Sequence, residues 1–168
     1  MARAVLIIGG NIGDMKPRLR QAQKMINDEA GIIMRCSHTY DTEAWGFRAE
    51  EKFTNQVLIV DTDLDPGQLL AVVQSIEARM GRDREEERRL KEASGEKYCS
   101  RIIDIDILFY EDRIIDTPDL VIPHPLLQQR LFVLRPLCEL MRERIHPILG
   151  RSMGELYDEL LARQEERS

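Results

Sequence analysis

Two aspartates in a short aliphatic run, Asp104 and Asp106, are the clearest candidates for chemistry in the sequence. Side chains alternate along a β-strand, so both carboxylates are expected on one face and the neighbouring isoleucines on the other. Adjacent carboxylates repel each other unless a cation or basic groups neutralise them. Such oxygen ligands suit Mg²⁺, which usually takes one or two carboxylates together with substrate phosphates. The alternative is a solvated sheet edge, and Arg101 just before the strand brings the two interpretations level.

Two pairs of polar residues lie near the end of a predicted helix, and the second pair could contact a phosphate. Gln74 and Glu77 lie three positions apart on that helix and off its apolar stripe, which is typical of an ordinary surface. Arg82 and Arg84 come just after the glycine that ends the helix, and arginine pairs well with phosphate oxygens. The alternative for both arginines is a solvated run of charges.

Two further groups are candidates for a binding site, and the first of them could recognise a flat ring. Phe53 and Asn55 are two apart on a predicted strand, so one ring and one amide face the same side. His124 precedes a proline, with Arg130 and Phe132 shortly after it. A ring at a strand start is more often part of the core, and a lone histidine before proline is more often structural. The residues alone therefore leave both interpretations open.

The elements that must position these residues follow the order βαββαβ. Strands are predicted at 4–8, 32–41, 53–62 and 102–110, helices after Pro17 and after an Asp65 N-cap, a short strand at 113–115, and C-terminal helices ending in one that opens with a Ser152–Glu155 capping box. Residues 9–11, Gly-Gly-Asn, are interpreted as a turn. This order predicts a ferredoxin-like α+β fold with a largely antiparallel sheet. A doubly wound parallel sheet is disfavoured because no helix separates 32–41 from 53–62.

Length and composition limit the possible classes of protein. The 168 residues suit a single domain over 1–162 with a frayed tail at 163–168. With 24 basic and 30 acidic residues the net charge is −6, which excludes a generic basic nucleic-acid surface. Three scattered cysteines favour a reducing compartment, and the N-terminal apolar run is too short for a signal or membrane span. We expect a cytoplasmic monomer with no nucleic-acid or membrane partner.

Taken in order, these motifs resemble the 6-hydroxymethyl-7,8-dihydropterin pyrophosphokinase family of the folate pathway, over roughly residues 3–160. The resemblance rests on Gly9-x-Asn11, Thr42 to Gly46, Phe53-x-Asn55, Gln74-x-x-Glu77, Gly81-Arg-x-Arg84, Arg101-Ile-Ile-Asp104-Ile-Asp106-Ile-Leu, Pro123-His-Pro125 and Arg130-x-Phe132-Val-Leu-x-Pro-Leu. It implies a transfer of pyrophosphate from ATP to the hydroxymethyl group of the pterin, with release of AMP. It also implies the ferredoxin-like fold.

The resemblance further implies a role for each matched residue. The catalytic set would be Arg82, Arg101, Asp104 and Asp106, with the two aspartates binding two Mg²⁺ ions that hold ATP. The pterin would contact Thr42, Glu43, Ala44, Trp45, Gly46, Phe53, Asn55 and Phe132. ATP would contact Gln74, Glu77, Arg82, Arg84, Tyr98, Arg101, Ile107, His124 and Arg130. The chain departs from the family at Cys99-Ser100, where Gly-Pro is common, and at Phe53, where Tyr is common.

Two other functions remain open. The aspartate pair could serve another Mg²⁺-dependent phosphate enzyme, such as a phosphohydrolase, but that would need a water-activating residue and no pterin stack. The chain could also be a ferredoxin-like binding module without activity. Such a module would tolerate the loss of an aspartate or arginine, and none of the matched ones is lost.

Overall fold

The computed structural model describes residues 1–42, 53–83, 85, 88–89, 92–93 and 102–167. Its elements are β1 (Ala2–Gly10), α1 (Met15–Glu29), β2 (Ile32–Cys36), β3 (Tyr40–Thr42), β4 (Phe53–Thr62), α2 (Pro66–Arg79), β5 (Asp104–Tyr110), β6 (Ile115–Asp116), β7 (Val121–Ile122), α3 (Leu131–Met141) and α4 (Met153–Arg167). Within these described ranges, no helix has the length and apolar character needed to cross a membrane.

The main sheet has the strand order β2-β4-β1-β5, and β3 pairs with the part of β4 that β2 leaves free. Every pairing in this sheet is antiparallel. The short strands β6 and β7 form a separate antiparallel hairpin. The antiparallel βαββαβ fold predicted from the sequence is confirmed.

The central strand β1 is buried on both faces because helices cover both sides of the sheet. Ala4, Leu6 and Ile8 belong to the cluster that includes the apolar stripes of α1 and α2. Val5 and Ile7 point the other way, into a cluster with residues of α3 and α4. A strand buried on both faces reads as a continuous aliphatic run, which is how this segment appears in the sequence.

Side-chain caps fix where the helices begin. Asp65 accepts a hydrogen bond from the Gln68 amide at 2.8 Å, and the Gln68 side chain accepts one from the Asp65 amide at 2.9 Å. Ser152 and Glu155 form the same reciprocal box at the start of α4. The Asp65 N-cap and the Ser152–Glu155 box were expected from the sequence, whereas the reciprocal bond to the Gln68 side chain was not. Each box satisfies amides that have no partner within the helix. Residues 163–167, where a frayed tail is expected, continue α4.

The strand predicted at 32–41 is wrong in one respect, because it is two strands separated at Ser37. The Ser37 hydroxyl accepts a hydrogen bond from the Val57 amide at 2.9 Å, and the Ser37 amide donates to the Val57 carbonyl at 2.9 Å. The Gln56 side chain also donates to the Ser37 carbonyl at 2.8 Å. A side chain thus takes part in the ladder, and the chain turns before β3 resumes pairing. The strand predicted at 113–115 is also displaced, to Ile115–Asp116.

Candidate active site

A row of four directly paired residues crosses one end of the sheet. Gly9 on β1 pairs with Asn55 on one side and with Asp104 on the other, and Asn55 pairs in turn with Tyr40. Residues opposite each other in antiparallel strands project from the same face. We call Tyr40, Asn55, Gly9 and Asp104 the site row. It brings a residue expected to bind pterin and one expected to bind metal to either side of one glycine.

Gly9 lets Asn55 lie close to β1, because no residue with a side chain fits at this position. A β-carbon there would lie 2.2 Å from Asn55 Oδ1 and 2.6 Å from the Thr54 carbonyl oxygen. Such distances are far inside van der Waals contact, so any side chain would displace the Asn55 amide. The turn expected at 9–11 is therefore wrong, since Gly9 and Gly10 are the last residues of β1. The missed signal was a glycine inside a strand, which often marks a close approach of another group.

Asn55 carries a side-chain hydrogen-bond donor that no described residue satisfies. Its side chain is buried, and its Nδ2 has no hydrogen-bond partner among the described residues. Leaving a buried donor unsatisfied costs about 1–3 kcal/mol, so a ligand that supplies an acceptor gains from the interaction. This is the property expected of an amide that reads the polar edge of a heterocycle.

The two aspartates lie as predicted on one face of β5. Asp104 and Asp106 are half-buried, while Ile105 and Ile107 between and after them are buried on the opposite face. The described residues contain no group of three or more His, Cys, Asp or Glu side chains placed to hold a metal ion. Two carboxylates nevertheless fit Mg²⁺ bound with a nucleotide, because phosphates and water supply its other ligands.

Arg82 reaches Asp104 from the end of α2 and is almost completely buried. Its guanidinium donates to Asp104 Oδ1 at 2.8 Å and to Glu77 Oε2 at 2.5 Å. Glu77 Oε2 also accepts a hydrogen bond from the Ile105 amide at 2.8 Å, on the strand that carries both aspartates. A basic group and a carboxylate predicted separately are thus in direct contact.

Glu77 itself is not where the sequence interpretation puts it. Its side chain is only 1% exposed, whereas Gln74, one turn earlier, is exposed. The helix turns Glu77 towards β5, and its charge is compensated there by Arg82 and a backbone amide. The prediction that Glu77 lies off the buried face of α2 is therefore wrong. A charged residue can occupy a buried face when its polar atoms are hydrogen-bonded, and the apolar pattern of the sequence does not reveal this.

His124 lies between the two charged parts of the site. Burial and, to a lesser extent, the nearby Arg130 guanidinium lower the pKa of His124 to about 4, while the Asp104 carboxylate opposes both. Its Nδ1 accepts a hydrogen bond from the Leu126 amide at 3.3 Å. A neutral ring that accepts at Nδ1 carries its proton on Nε2. His124 is thus a neutral donor close to both Arg130 and Asp104, directly after the cis Ile122–Pro123 peptide.

The rings expected to stack on the pterin are both half-buried. Phe132 is in the first turn of α3, and the guanidinium of Arg130 lies 5.5 Å from its ring centroid. Its helix packs over the sheet face that carries the site row. Phe53 begins β4, two residues before Asn55, and pairs with Thr42. The structure thus places Phe53 at the end of the sheet where the row lies, and Phe132 on the helix that covers the same sheet face.

Some predicted site residues are not brought to this place. The side chain of Ile107 is buried in the cluster with α1 and α2, on the face opposite the aspartates. A contact of Ile107 with ATP would therefore be made by its backbone, and it stays a prediction. The predicted residues that lie outside the described part of the chain are Glu43, Ala44, Trp45, Gly46, Arg84, Tyr98 and Arg101.

Comparisons with known proteins identify the family. Residues 5–142 match the family described as 7,8-dihydro-6-hydroxymethylpterin-pyrophosphokinase (HPPK). The 2-amino-4-hydroxy-6-hydroxymethyldihydropteridine pyrophosphokinase of Methylorubrum extorquens is 37% identical, over 97% of this chain and 94% of the relative. The enzyme of the same name from Aquifex aeolicus is 36% identical, over 95% of this chain and 92% of the relative.

A solved structure agrees with the fold. The chain superposes on Plasmodium falciparum HPPK-DHPS with pteroate at a TM-score of 0.77 and 19% identity, covering 98% of this chain and 43% of that one. This chain thus spans less than half of that longer protein, and at this identity the likeness concerns the fold alone. With the family match over most of its length, the chain belongs to the 7,8-dihydro-6-hydroxymethylpterin-pyrophosphokinase family.

Proposed function

We propose that the chain performs its family's reaction across the site row, with the pterin on the Asn55 side of Gly9 and ATP on the Asp104 side. The reaction is the transfer of pyrophosphate from ATP to the hydroxymethyl group of 6-hydroxymethyl-7,8-dihydropterin, with release of AMP, in folate biosynthesis. The observation that carries the placement is the pairing of Gly9 with Asn55 on one side and Asp104 on the other.

The pterin half of the proposal depends on Asn55. Its buried Nδ2 lacks a partner among the described residues, so an acceptor on the pterin edge would satisfy it. Phe53 and Phe132 supply the two stacking rings. The segment from Thr42 through Glu43, Ala44, Trp45 and Gly46 completes this half of the site, and we assign it on sequence alone.

The nucleotide half depends on the contacts around Asp104. Arg82 is aimed at Asp104 by its buried bond to Glu77, so its charge is fixed in place before any nucleotide binds. When bound with ATP, two Mg²⁺ ions neutralise phosphate charge, and Asp104 and Asp106 would hold them. The other residues assigned to ATP are Gln74, Arg84, Tyr98, Arg101, His124 and Arg130, with Glu77 acting through Arg82.

The reaction depends on the alignment of the two substrates and does not require a covalent enzyme intermediate. The hydroxymethyl oxygen forms a bond to the β-phosphorus of ATP while the bond from that phosphorus to the α,β-bridging oxygen breaks, and AMP leaves with the bridging oxygen. Reactions of this type are accelerated mainly by alignment and by stabilisation of charge on the phosphoryl oxygens. Arg82 and Arg101 are assigned that stabilising role. His124, held neutral, adds a hydrogen-bond donor without repelling the arginines.

The test is an AMP-release assay with ATP, Mg²⁺ and the pterin, in which each component is omitted in turn. We expect release only when all three are present, with Asp106→Asn inactive and Lys24→Ala, at an exposed position of α1, as active as the parent. AMP or phosphate release without pterin would indicate a phosphohydrolase instead. We further propose that the chain acts as a cytoplasmic monomer, without a nucleic-acid or membrane partner.

A further inference from the structure

A carboxylate on α3, Glu139, joins that helix to the strand beside the site row. The Tyr40 hydroxyl donates to Glu139 Oε1 at 2.6 Å. The backbone amide of His38 donates to the same carboxylate at 3.0 and 3.2 Å, and the His38 ring Nδ1 lies 3.0 Å from Oε2. We call Glu139, Tyr40 and His38 the clasp. Nothing in the family motifs of the sequence points to it.

One side of the clasp is the strand that borders the pterin half of the site. Tyr40 is itself a member of the site row and pairs with Asn55, and two residues later Thr42 pairs with Phe53. His38 immediately follows Ser37, whose hydroxyl and backbone are bonded to β4. The clasp therefore acts on a segment that is rigidly connected to both Asn55 and Phe53.

The other side of the clasp is the helix that carries Phe132. Glu139 is seven residues after Phe132, which is about two helical turns, so both side chains lie on nearly the same face and about 10 Å apart along the axis. Pro136 lies between them and has no amide to donate to the Phe132 carbonyl. The first turn of α3 thus lacks one backbone hydrogen bond to the next turn. Its position over the sheet therefore depends more on contacts with other elements.

The clasp is an ionic contact and not a neutral one. Burial raises the pKa of the Glu139 carboxyl, but hydrogen bonds from Tyr40 and His38 outweigh it and leave that pKa below its ordinary value. The same bond, aided by burial, raises the pKa of Tyr40 to about 12. Glu139 is consequently an anion, and Tyr40 a donor, throughout the neutral range. Bonds of this charge-assisted kind are shorter and stronger than neutral ones.

We propose that Glu139 is a positioning residue for pterin binding: by fixing α3 to β3, it sets the gap between the Phe132 ring and the Asn55 amide. The inference rests on the proposed function, because it takes Phe132 and Asn55 as the two sides of the pterin pocket. Glu139 touches neither substrate, and the ATP half of the row, on the far side of Gly9, does not depend on it.

The test compares Glu139→Ala and Glu139→Gln in steady-state kinetics with each substrate varied separately. We expect Glu139→Ala to raise KM for the pterin by about tenfold, the lower range for loss of a hydrogen bond to a charged group. The KM for ATP should stay within about twofold, because the clasp does not reach Asp104. Glu139→Gln keeps an acceptor oxygen for Tyr40 and should recover part of the pterin affinity.

Asp158→Ala is the matched control, because it removes a contact of the same helix on another side. Arg142, which caps α3, donates to Asp158 of α4 at 3.1 Å. This variant should bind pterin as the parent does. If Glu139→Ala does not fold, Tyr40→Phe removes only the 2.6 Å bond and should raise the same KM less.

The outcomes separate the two proposals. A parent protein that releases AMP without pterin refutes the proposed function. The positioning role of Glu139 is refuted if the parent needs pterin but Glu139→Ala and Tyr40→Phe leave the KM for pterin unchanged. It is also refuted if these variants change the KM for both substrates equally.

Discussion

Replacing Glu77 tests whether this residue supports the site or contacts the nucleotide itself. Glu77 and Arg82 are both nearly fully buried, with side chains 1% and 3% exposed. In Glu77→Ala, Arg82 keeps its bond to Asp104 but loses its bond to the Glu77 carboxylate. The Ile105 amide loses the Glu77 carboxylate at the same time. The change therefore disturbs a buried charge and a buried backbone donor together.

The magnitude follows from those two losses. Removing one member of a buried ion pair typically costs about 3–5 kcal/mol, and the remaining Asp104 contact places this case at the lower end. The Ile105 amide, if left unsatisfied, adds about 1–3 kcal/mol. We expect Glu77→Ala to reduce the free energy of unfolding by about 4 kcal/mol in total, which lowers Tm by roughly 8–16 °C for a chain of this size.

Urea denaturation followed by circular dichroism measures the effect, with ATP affinity determined by calorimetry on the same samples. Gln74→Ala is the control, because Gln74 is exposed one turn earlier on α2 and should change stability by less than about 0.5 kcal/mol. If Glu77→Ala is as stable as Gln74→Ala but binds ATP more weakly than the parent protein does, Glu77 is a nucleotide ligand and it does not act through Arg82.

Three further predictions concern the rest of the site. Phe53→Ala and Phe132→Ala should each weaken pterin binding by about 1–3 kcal/mol while leaving ATP binding nearly unchanged, and calorimetry showing equal losses for both ligands would instead assign the rings to the core. The pKa of His124 falls from 6.5 to about 4 on folding, so the unfolded chain binds a proton that the folded protein does not bind between these pH values. The free energy of unfolding should therefore decrease by about 3 kcal/mol as the pH falls from 6.5 to 4. Urea titrations at each pH should show that His124→Gln removes this part of the acid sensitivity. Asp106→Asn should abolish AMP release at saturating Mg²⁺ with a thermal midpoint close to that of the parent, and near-normal turnover would refute its role as a metal ligand.

The sequence predicted the parts of the fold that depend on local chemistry. Strand β4 and the start of α2 are where the aliphatic pattern and the Asp65 cap put them. The common face of Asp104 and Asp106 follows from the two-residue period of a strand, and the structure confirms it. These features depend only on residues that are close to each other in the sequence.

The parts that could not be predicted depend on partners distant in sequence. The interruption at Ser37 arises from hydrogen bonds with Val57 and Gln56, twenty residues away, and no local pattern signals it. The burial of Glu77 requires both Arg82 and the edge of β5. The clasp joins residues about a hundred positions apart. Side-chain roles that arise from such pairings become visible only when the strands are in register.

The central position of Gly9 fixes the backbone distance between the two halves of the proposed site. Neighbouring strands are about 4.8 Å apart, so Asn55 and Asp104, on either side of β1, are separated by about 9.6 Å. That spacing is set by backbone hydrogen bonds and cannot adapt to a different acceptor. In the proposed function, an acceptor bound at Asn55 would therefore lie at a fixed backbone distance from the strand that carries Asp104 and Asp106. The distance between the two halves of the proposed site is in this way a property of the main chain.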